Sequence, residues 1–114
     1  MDGFEFALNG NKRGLGLVAP GNCSNVTIRK NKFHGITNGY SGGNNSLFFM
    51  TKAGQGQYWS FQDNEMLDVN TGYGILGYNG KNILIEDNVF HKIGTHGVGP
   101  KSGTQRWDIR NNVF

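Results

Sequence analysis

The stretch that decides the fold runs from Asn82 to Phe90 and reads Asn-Ile-Leu-Ile-Glu-Asp-Asn-Val-Phe. It places apolar residues five and three positions before Asn88 and a phenylalanine two positions after it. Apolar residues at every second position favour a β-strand, and Asn favours a tight turn. The stretch therefore predicts two short strands joined by a turn at Asn88.

The same phrase recurs along the chain, in three clear copies and one degraded copy near the start. The asparagines of the five copies are Asn9, Asn31, Asn64, Asn88 and Asn112, spaced 22, 33, 24 and 24 residues apart. A further apolar segment precedes each later copy, and another apolar residue follows each interior Asn by five positions. Short-strand repeats of this length stack as rungs, so we predict a β-solenoid with three parallel sheets and a triangular cross-section.

The phrase Ile-x-Ile-x-x-Asn-x-Phe resembles the right-handed parallel β-helix (pectin-lyase-like) family of pectate lyases, polygalacturonases, related polysaccharide lyases and phage tailspikes. The resemblance covers nearly the whole chain. It implies an all-β fold in which residues 1–114 form one single-stranded solenoid segment of about four to five rungs. Solenoids need polar caps, and neither end looks like one, so we expect a fragment of a longer solenoid. Exposed ends of this kind also predict self-association.

Stacking of the rungs predicts which side chains meet. The five asparagines should form a structural ladder, each in a left-handed turn with its amide bonded to the turns above and below. The apolar residues before each Asn should point inward. One apolar stack is expected to contain Phe6, Ile28, Phe61, Ile85 and Ile109.

Composition narrows the functional classes. The chain has 19 glycines, 2 prolines and a net charge of +3, which suits tight turns and is compatible with an acidic polysaccharide partner. Its basic residues are scattered, which argues against nucleic acid, and no apolar run is long enough to span a membrane. The lone Cys23 forms no intramolecular disulfide. The resemblance implies an extracellular or cell-surface location, although the sequence carries no signal-peptide pattern.

The 33-residue spacing contains an insertion at residues 37–46. Insertions in solenoids map to loops on one face, which is often the binding face. Tyr40 lies in this segment among small polar residues, an arrangement suited to stacking on a sugar. We therefore predict that Tyr40 binds substrate; a surface loop without function is the alternative.

Two Lys-x-Gly sequences, at Lys52 and Lys101, each follow an apolar strand and should occupy one corner with Tyr78 between them. The resemblance implies a lyase in which Lys or Arg abstracts the proton α to a uronate carboxylate. Lys101, Tyr78 and Lys52 are accordingly the candidate catalytic residues, and two neighbouring ammonium groups should lower a Lys pKa. The alternative is a turn with a solvated ammonium. Candidate substrate-binding residues besides Tyr40 are His96, Arg106 and Arg110.

Carboxylates offer little for catalysis. Glu86 and Arg110 should be neighbours on adjacent rungs, which favours an exposed ion pair. Glu86 and Asp108 are the only carboxylates that the register brings together for a hydrolase, which needs such a pair. No metal site and no cofactor are identified from the residues, and calcium follows only from the family analogy.

Two functional hypotheses remain at this point. The first is an extracellular polysaccharide lyase or glycoside hydrolase acting on acidic polysaccharide. The second is a non-catalytic structural or glycan-binding β-helix of the tailspike or surface-adhesin type. Because the fold hosts both, the step from fold to function is an analogy.

Overall fold

The computed structural model describes residues 1–7, 24–36, 46–50, 57–70 and 72–114. The strands in these residues are β1 (Glu5–Ala7), β2 (Thr27–Arg29), β3 (Lys32–Ile36), β4 (Ser46–Met50), β5 (Ser60–Gln62), β6 (Glu65–Val69), β7 (Tyr73–Gly77), β8 (Lys81–Glu86), β9 (Val89–Ile93), β10 (His96–Pro100) and β11 (Gln105–Arg110).

These strands form three sheets in which every pair is parallel. Sheet A has the order β11-β8-β5-β2, sheet B the order β1-β3-β6-β9 and sheet C the order β10-β7-β4. From β2 onward the chain visits sheets A, B and C in turn and then repeats the cycle. The prediction of an all-β fold with three parallel sheets is confirmed.

The core lies between the sheets and consists of aligned apolar columns. In sheet A, Ile28, Phe61 and Ile85 are aligned on successive strands and are almost fully buried. Ile109 continues this column on β11 but remains 40% exposed, because β11 is the last strand of its sheet. In sheet B the matching buried column contains Phe33, Met66 and Phe90.

The asparagine ladder is present at the turns between sheets A and B. Asn31, Asn64 and Asn88 are buried. The Oδ1 of Asn88 accepts from the backbone N–H and from the Nδ2 of Asn64, each at 2.9 Å. Asn88 in turn donates to the Oδ1 of Asn112 from its backbone N–H (2.9 Å) and its Nδ2 (3.0 Å). The amides therefore satisfy one another, as buried polar groups require.

The left-handed turn conformation falls one residue earlier than predicted. Positive φ occurs at the residue before each ladder Asn, not at the Asn itself. These residues are Lys30, Asp63, Asp87 and Asn111, with φ from 53° to 57°. The preceding residue makes the bend, which leaves the backbone N–H and side chain of each Asn free to join the ladder. Asp63 and Asp87 are thus turn residues.

The register predicted for the first copy is wrong. Phe6 pairs with Phe33 in sheet B, and so does not belong to the column of Ile28. The backbone N–H of Phe4 donates to the Oδ1 of Asn31 at 2.9 Å, so Phe4 occupies the ladder place that was assigned to Asn9. The apolar alternation in this copy fits the strand before the turn as well as the strand after it. Packing of Phe6 on Phe33 selects the strand after the turn.

Three predicted functional or ladder residues lie outside the described residues: Asn9, Tyr40 and Lys52. The same holds for residues 37–45 of the predicted insertion, whereas Ser46 is the buried first residue of β4. Ser46 is aligned with Tyr73 in sheet C. Among the described residues, no helix has the length and apolar character needed to cross a bilayer.

Candidate functional site

The outer face of sheet C carries a contact between an aromatic ring and a cation. Tyr73 begins β7, and Lys101 follows directly after β10. The Nζ of Lys101 donates to the hydroxyl of Tyr73 at 2.9 Å and lies 4.9 Å from the centre of its ring. An ammonium at this distance is attracted to the aromatic ring as well as to the hydroxyl oxygen.

Glycine at position 99 lets the Tyr73 ring lie along the neighbouring strand. A Cβ at Gly99 would stand 2.5 Å from the Cδ1 of Tyr73, closer than any real contact. Because Gly99 has no side chain, the ring covers its backbone and the hydroxyl points towards Lys101. The position of Tyr73 thus depends on a residue on another strand.

His96 completes this cluster. It is aligned with Tyr73 on β10, and the two rings stack with centroids 5.7 Å apart and planes 12° apart. His96 is exposed, while Tyr73 and Lys101 are partly buried. We call Tyr73, His96 and Lys101 the aromatic–cation cluster; it presents ring faces and nitrogen donors on one surface.

The expectation that the pKa of Lys101 is lowered is wrong. The hydrogen bond to Tyr73 raises the pKa of Lys101, and the phenol groups of Tyr73 and Tyr78 add to this effect. A raised pKa keeps the ammonium charged to higher pH than usual, whereas a general base needs the free amine. Lys101 is therefore suited to binding an electron-rich group and not to removing a proton.

Tyr78 lies next to Lys101, as the register predicted. The backbone N–H of Lys101 donates to the carbonyl of Gly77 at 2.9 Å, which places Lys101 beside Tyr78 on the adjacent rung. The hydroxyl that Lys101 contacts, however, belongs to Tyr73. Tyr78 and Lys101 therefore share the predicted corner. The polar contact of the Lys101 side chain, however, is with Tyr73, which was not among the predicted site residues.

Arg110 lies at the far end of β11 from the turn that follows Lys101, and it belongs to an ion-pair network on sheet A. Its Nε donates to Oε2 of Glu86 at 2.8 Å, and its guanidinium also contacts Asp108 at 3.3 Å. Gln62 donates to the other oxygen of Glu86 at 2.7 Å. The predicted Glu86–Arg110 pair is confirmed. Glu86 and Asp108 share the guanidinium of Arg110, which stands where a hydrolase would have an open cleft between its two carboxylates.

The hydrogen bond from Gln62, followed by that from Arg110, lowers the pKa of Glu86. A lowered pKa in the folded state contributes stability above the usual value of 4.5, and this contribution disappears as pH falls below it. We expect Glu86→Gln to destabilise the protein at neutral pH, and the difference from wild type to shrink on acidification. Urea unfolding followed by circular dichroism at several pH values between neutral and acid measures this difference.

Glu65→Gln is the matched control for this experiment. Glu65 is exposed on sheet B, and its carboxylate forms no ion pair with the described residues. The difference in stability between Glu65→Gln and wild type should not shrink comparably on acidification. A Glu86→Gln difference that stays constant with pH would contradict the role assigned to the network.

Arg106 lies outside the aromatic–cation cluster, and its backbone has a left-handed conformation. It is exposed on β11 with a φ of 54°, and it shares this left-handed position with Tyr58 and Asn82 on other rungs. A non-glycine residue in this conformation costs roughly 1–2 kcal/mol. Within the described ranges no hydrogen bond or ring contact joins Arg106 to Tyr73 or Lys101, so its predicted substrate-binding role stays a prediction.

Calcium binding stays a prediction drawn from the family resemblance. No group of three or more His, Cys, Asp or Glu side chains in the described ranges is placed to hold a metal ion.

Tyr73 is the residue that sequence reasoning missed. The signal was present, because Tyr73-Gly74 and His96-Gly97 occupy the same place before two apolar strands. Their alignment follows from the repeat alone. The contact of Tyr73 with Lys101 does not, since it depends on how the ring turns over Gly99.

No protein-family model, no curated protein and no solved structure matches this chain.

Proposed function

We propose that this chain is a segment of a right-handed parallel β-helix that binds carbohydrate at the cell surface or outside the cell without cleaving it. Support for the β-helix comes from the repeated passage through three parallel sheets. The right-handed sense follows the rule that parallel crossover connections are right-handed in about 98% of cases. Support for carbohydrate binding comes from the aromatic–cation cluster.

The observation that carries the proposal is the Tyr73 ring, which stacks on the His96 ring and contacts the Lys101 ammonium. An aromatic ring packs against the C–H face of a sugar ring, and N–H groups donate hydrogen bonds to sugar oxygens. Lys101 uses one of its three N–H donors on Tyr73, which leaves donors for a ligand. His96 adds an exposed ring beside them.

Binding without cleavage is favoured by the states of the charged groups. Lys101 has a raised pKa and stays protonated. Glu86 forms a partly buried ion pair, and its lowered pKa keeps the carboxylate ionised at neutral pH, so it has no proton to donate. Its oxygens are already occupied by Gln62 and Arg110. Neither Lys101 nor Glu86 is prepared for proton transfer.

A polysaccharide lyase is the second candidate, and one observation favours it. The Tyr73 hydroxyl lies 2.9 Å from the Lys101 ammonium, so a candidate base and a cation for a uronate carboxylate stand together. This candidate requires unsaturated products, whereas the binding proposal does not.

We expect Tyr73→Leu to weaken binding of the chain to polysaccharide by about tenfold or more, which corresponds to the loss of one aromatic contact and one donor site. Isothermal titration calorimetry with a panel of neutral and acidic polysaccharides measures binding. Ultraviolet absorbance of the same mixtures detects unsaturated products.

Tyr58→Leu is the matched control, because Tyr58 is 59% exposed and lies outside the cluster. It should leave binding unchanged. Equal losses in the two variants, or none in Tyr73→Leu, would contradict the assignment of the cluster. Unsaturated products that vanish in Tyr73→Phe would instead support the lyase.

A further inference from the structure

Three asparagines of the chain begin the sequence Asn-x-Ser/Thr, which N-linked glycosylation requires of its acceptor. The three sequences are Asn22-Cys23-Ser24, Asn25-Val26-Thr27 and Asn44-Asn45-Ser46. Asn22 and Asn44 lie outside the described residues, whereas the whole of the second sequence is described. Because so short a motif also occurs by chance, its place in the fold decides whether Asn25 can carry a glycan.

Asn25 stands on an exposed corner where the chain enters sheet A, just before β2. Its φ is 60°, in the left-handed region that Asn adopts more readily than most residues. Its backbone N–H donates to the carbonyl of Gln57 at 3.1 Å. None of the hydrogen bonds among the described residues uses its side-chain amide. The fold therefore employs the backbone of Asn25 and leaves its Nδ2 accessible.

Exposure at this place is a property of the corner and not of the edge of a sheet. The bridges that precede β2 and β5 align Asn25 with Tyr58, and Tyr58 with Asn82, on successive strands. All three have a φ between 56° and 60°. Tyr58 has a neighbour on each side and is still 59% exposed. A further strand beside β2 would therefore leave Asn25 exposed as well.

The third residue of the motif is also on the surface. Val26 packs against the core and Ile28 is almost fully buried, so Thr27 between them faces outward and is exposed. Its Oγ1 accepts a hydrogen bond from the Oγ of Ser60 at 3.2 Å, which leaves its own O–H free of that bond. The two polar residues of the motif are thus accessible, and the apolar residue between them anchors the segment.

The ladder asparagines differ from Asn25 in each of these respects. Asn88 is fully buried, and its Nδ2 donates to the carbonyls of Phe61 and Glu86. A glycan on that nitrogen would require the turn to open. Among the described asparagines, Asn25 is the one at which the acceptor motif and an exposed side chain coincide.

We propose that Asn25 is an acceptor for an N-linked glycan. The inference rests on the extracellular location in the proposed function, whereas carbohydrate binding by the aromatic–cation cluster plays no part in it. In the transfer, the Nδ2 of Asn25 forms a bond to C1 of the first sugar of a lipid-linked oligosaccharide. The bond between C1 and the pyrophosphate oxygen of the lipid breaks, and the amide nitrogen loses one proton. A glycan is bulky and soluble, which the exposed corner before β2 accommodates.

Cell-free translation with endoplasmic-reticulum microsomes tests the proposal, with the whole chain placed behind a cleavable secretory leader. Asn22→Gln and Asn44→Gln are made together, so that Asn25 heads the only remaining acceptor motif. We expect this double variant to carry one glycan, seen as a gel shift that endoglycosidase H reverses. A double variant without the shift would overturn the proposal.

Two changes at the motif provide the controls. Adding Asn25→Gln or Thr27→Val to the double variant should abolish the shift, because the first removes the nitrogen and the second removes the hydroxyl. Thr27→Ser keeps the hydroxyl and should keep the shift. A shift that survives Asn25→Gln would overturn the assignment, since the glycan would then be attached elsewhere.

Unfolding in urea tests whether the folded chain accommodates the glycan. Because Asn25 is on the surface, the glycosylated chain and the same chain after endoglycosidase treatment should have equal circular dichroism spectra and unfold at similar urea concentrations. Loss of the β-sheet spectrum in the glycosylated form would overturn the structural assignment.

Calorimetry separates this inference from the proposed function. Asn25→Gln should leave polysaccharide binding unchanged, because Asn25 lies outside the aromatic–cation cluster. A chain that is glycosylated at Asn25 but binds no polysaccharide would support this inference and contradict carbohydrate binding. A chain that binds polysaccharide but is never glycosylated would overturn this inference alone.

Discussion

Replacing Asn88 by alanine should lower the free energy of unfolding by about 3 kcal/mol or more, since it strands several buried groups at once. The backbone N–H and the Nδ2 of Asn64 would lose their acceptor. The carbonyl of Phe61 would lose the donor that it has at 2.9 Å. Asn88 is fully buried, so water cannot replace these bonds without opening the turn. Urea denaturation followed by circular dichroism measures the loss.

Asn112→Ala is the matched control for the ladder. Asn112 has the same role at the last rung, but it is only partly buried, so solvent can reach the groups left behind. We expect a loss well below that of Asn88→Ala. Equal losses at the two positions would mean that the ladder contributes through local turn conformation alone and not through stacking of buried amides.

Replacing Phe33 by alanine should destabilise the fold by about 3–5 kcal/mol, the range for removal of a buried aromatic side chain from a core. Phe33 is fully buried and stacks on Phe6 at 5.0 Å. The strands on either side of β3 are held to it by backbone hydrogen bonds. This limits how far the surrounding residues can move into the cavity. Thermal and urea unfolding both report this loss.

Phe114→Ala tests whether the loss of stability depends on burial within the column or only on removal of a phenylalanine ring. Phe114 ends the same column and stacks on Phe90 at 5.1 Å, but most of its surface is exposed. Its removal should cost far less than removal of Phe33, because little apolar surface returns to water. Similar losses for the two variants would contradict the assignment of Phe33 to a closed core.

Glycines across the core set the width of this column. A Cβ on Gly74 would stand 2.6 Å from the carbonyl oxygen of Gly97 and 2.7 Å from the Phe90 ring. A Cβ on Gly97 would meet the Phe114 ring at 2.5 Å. At Gly74 and Gly97, sheet C therefore approaches the aromatic column through its backbone. The sequence contained these glycines but gave no indication of which rings they face.

The repeated phrase by itself determined the parallel sheets, the buried columns of sheets A and B, the ladder and the Glu86–Arg110 pair. The reason is that stacking of repeats in parallel sheets reduces each of these contacts to one rule: residues at equal places in the repeat become neighbours one strand apart. Where the repeat is well preserved, sequence spacing is therefore equivalent to spatial position.

Only the tertiary structure decided the register of the first copy and the partner of Lys101. The degraded copy retains apolar alternation, which has a period of two and fits either strand beside the turn, so packing of Phe6 on Phe33 made the choice. The Tyr73–Lys101 contact depends on a side-chain rotation over Gly99, and the pKa of Lys101 follows from that contact. A repeat fixes where a residue stands on its rung, but the direction of a long side chain on the outer face is set by its neighbours in three dimensions.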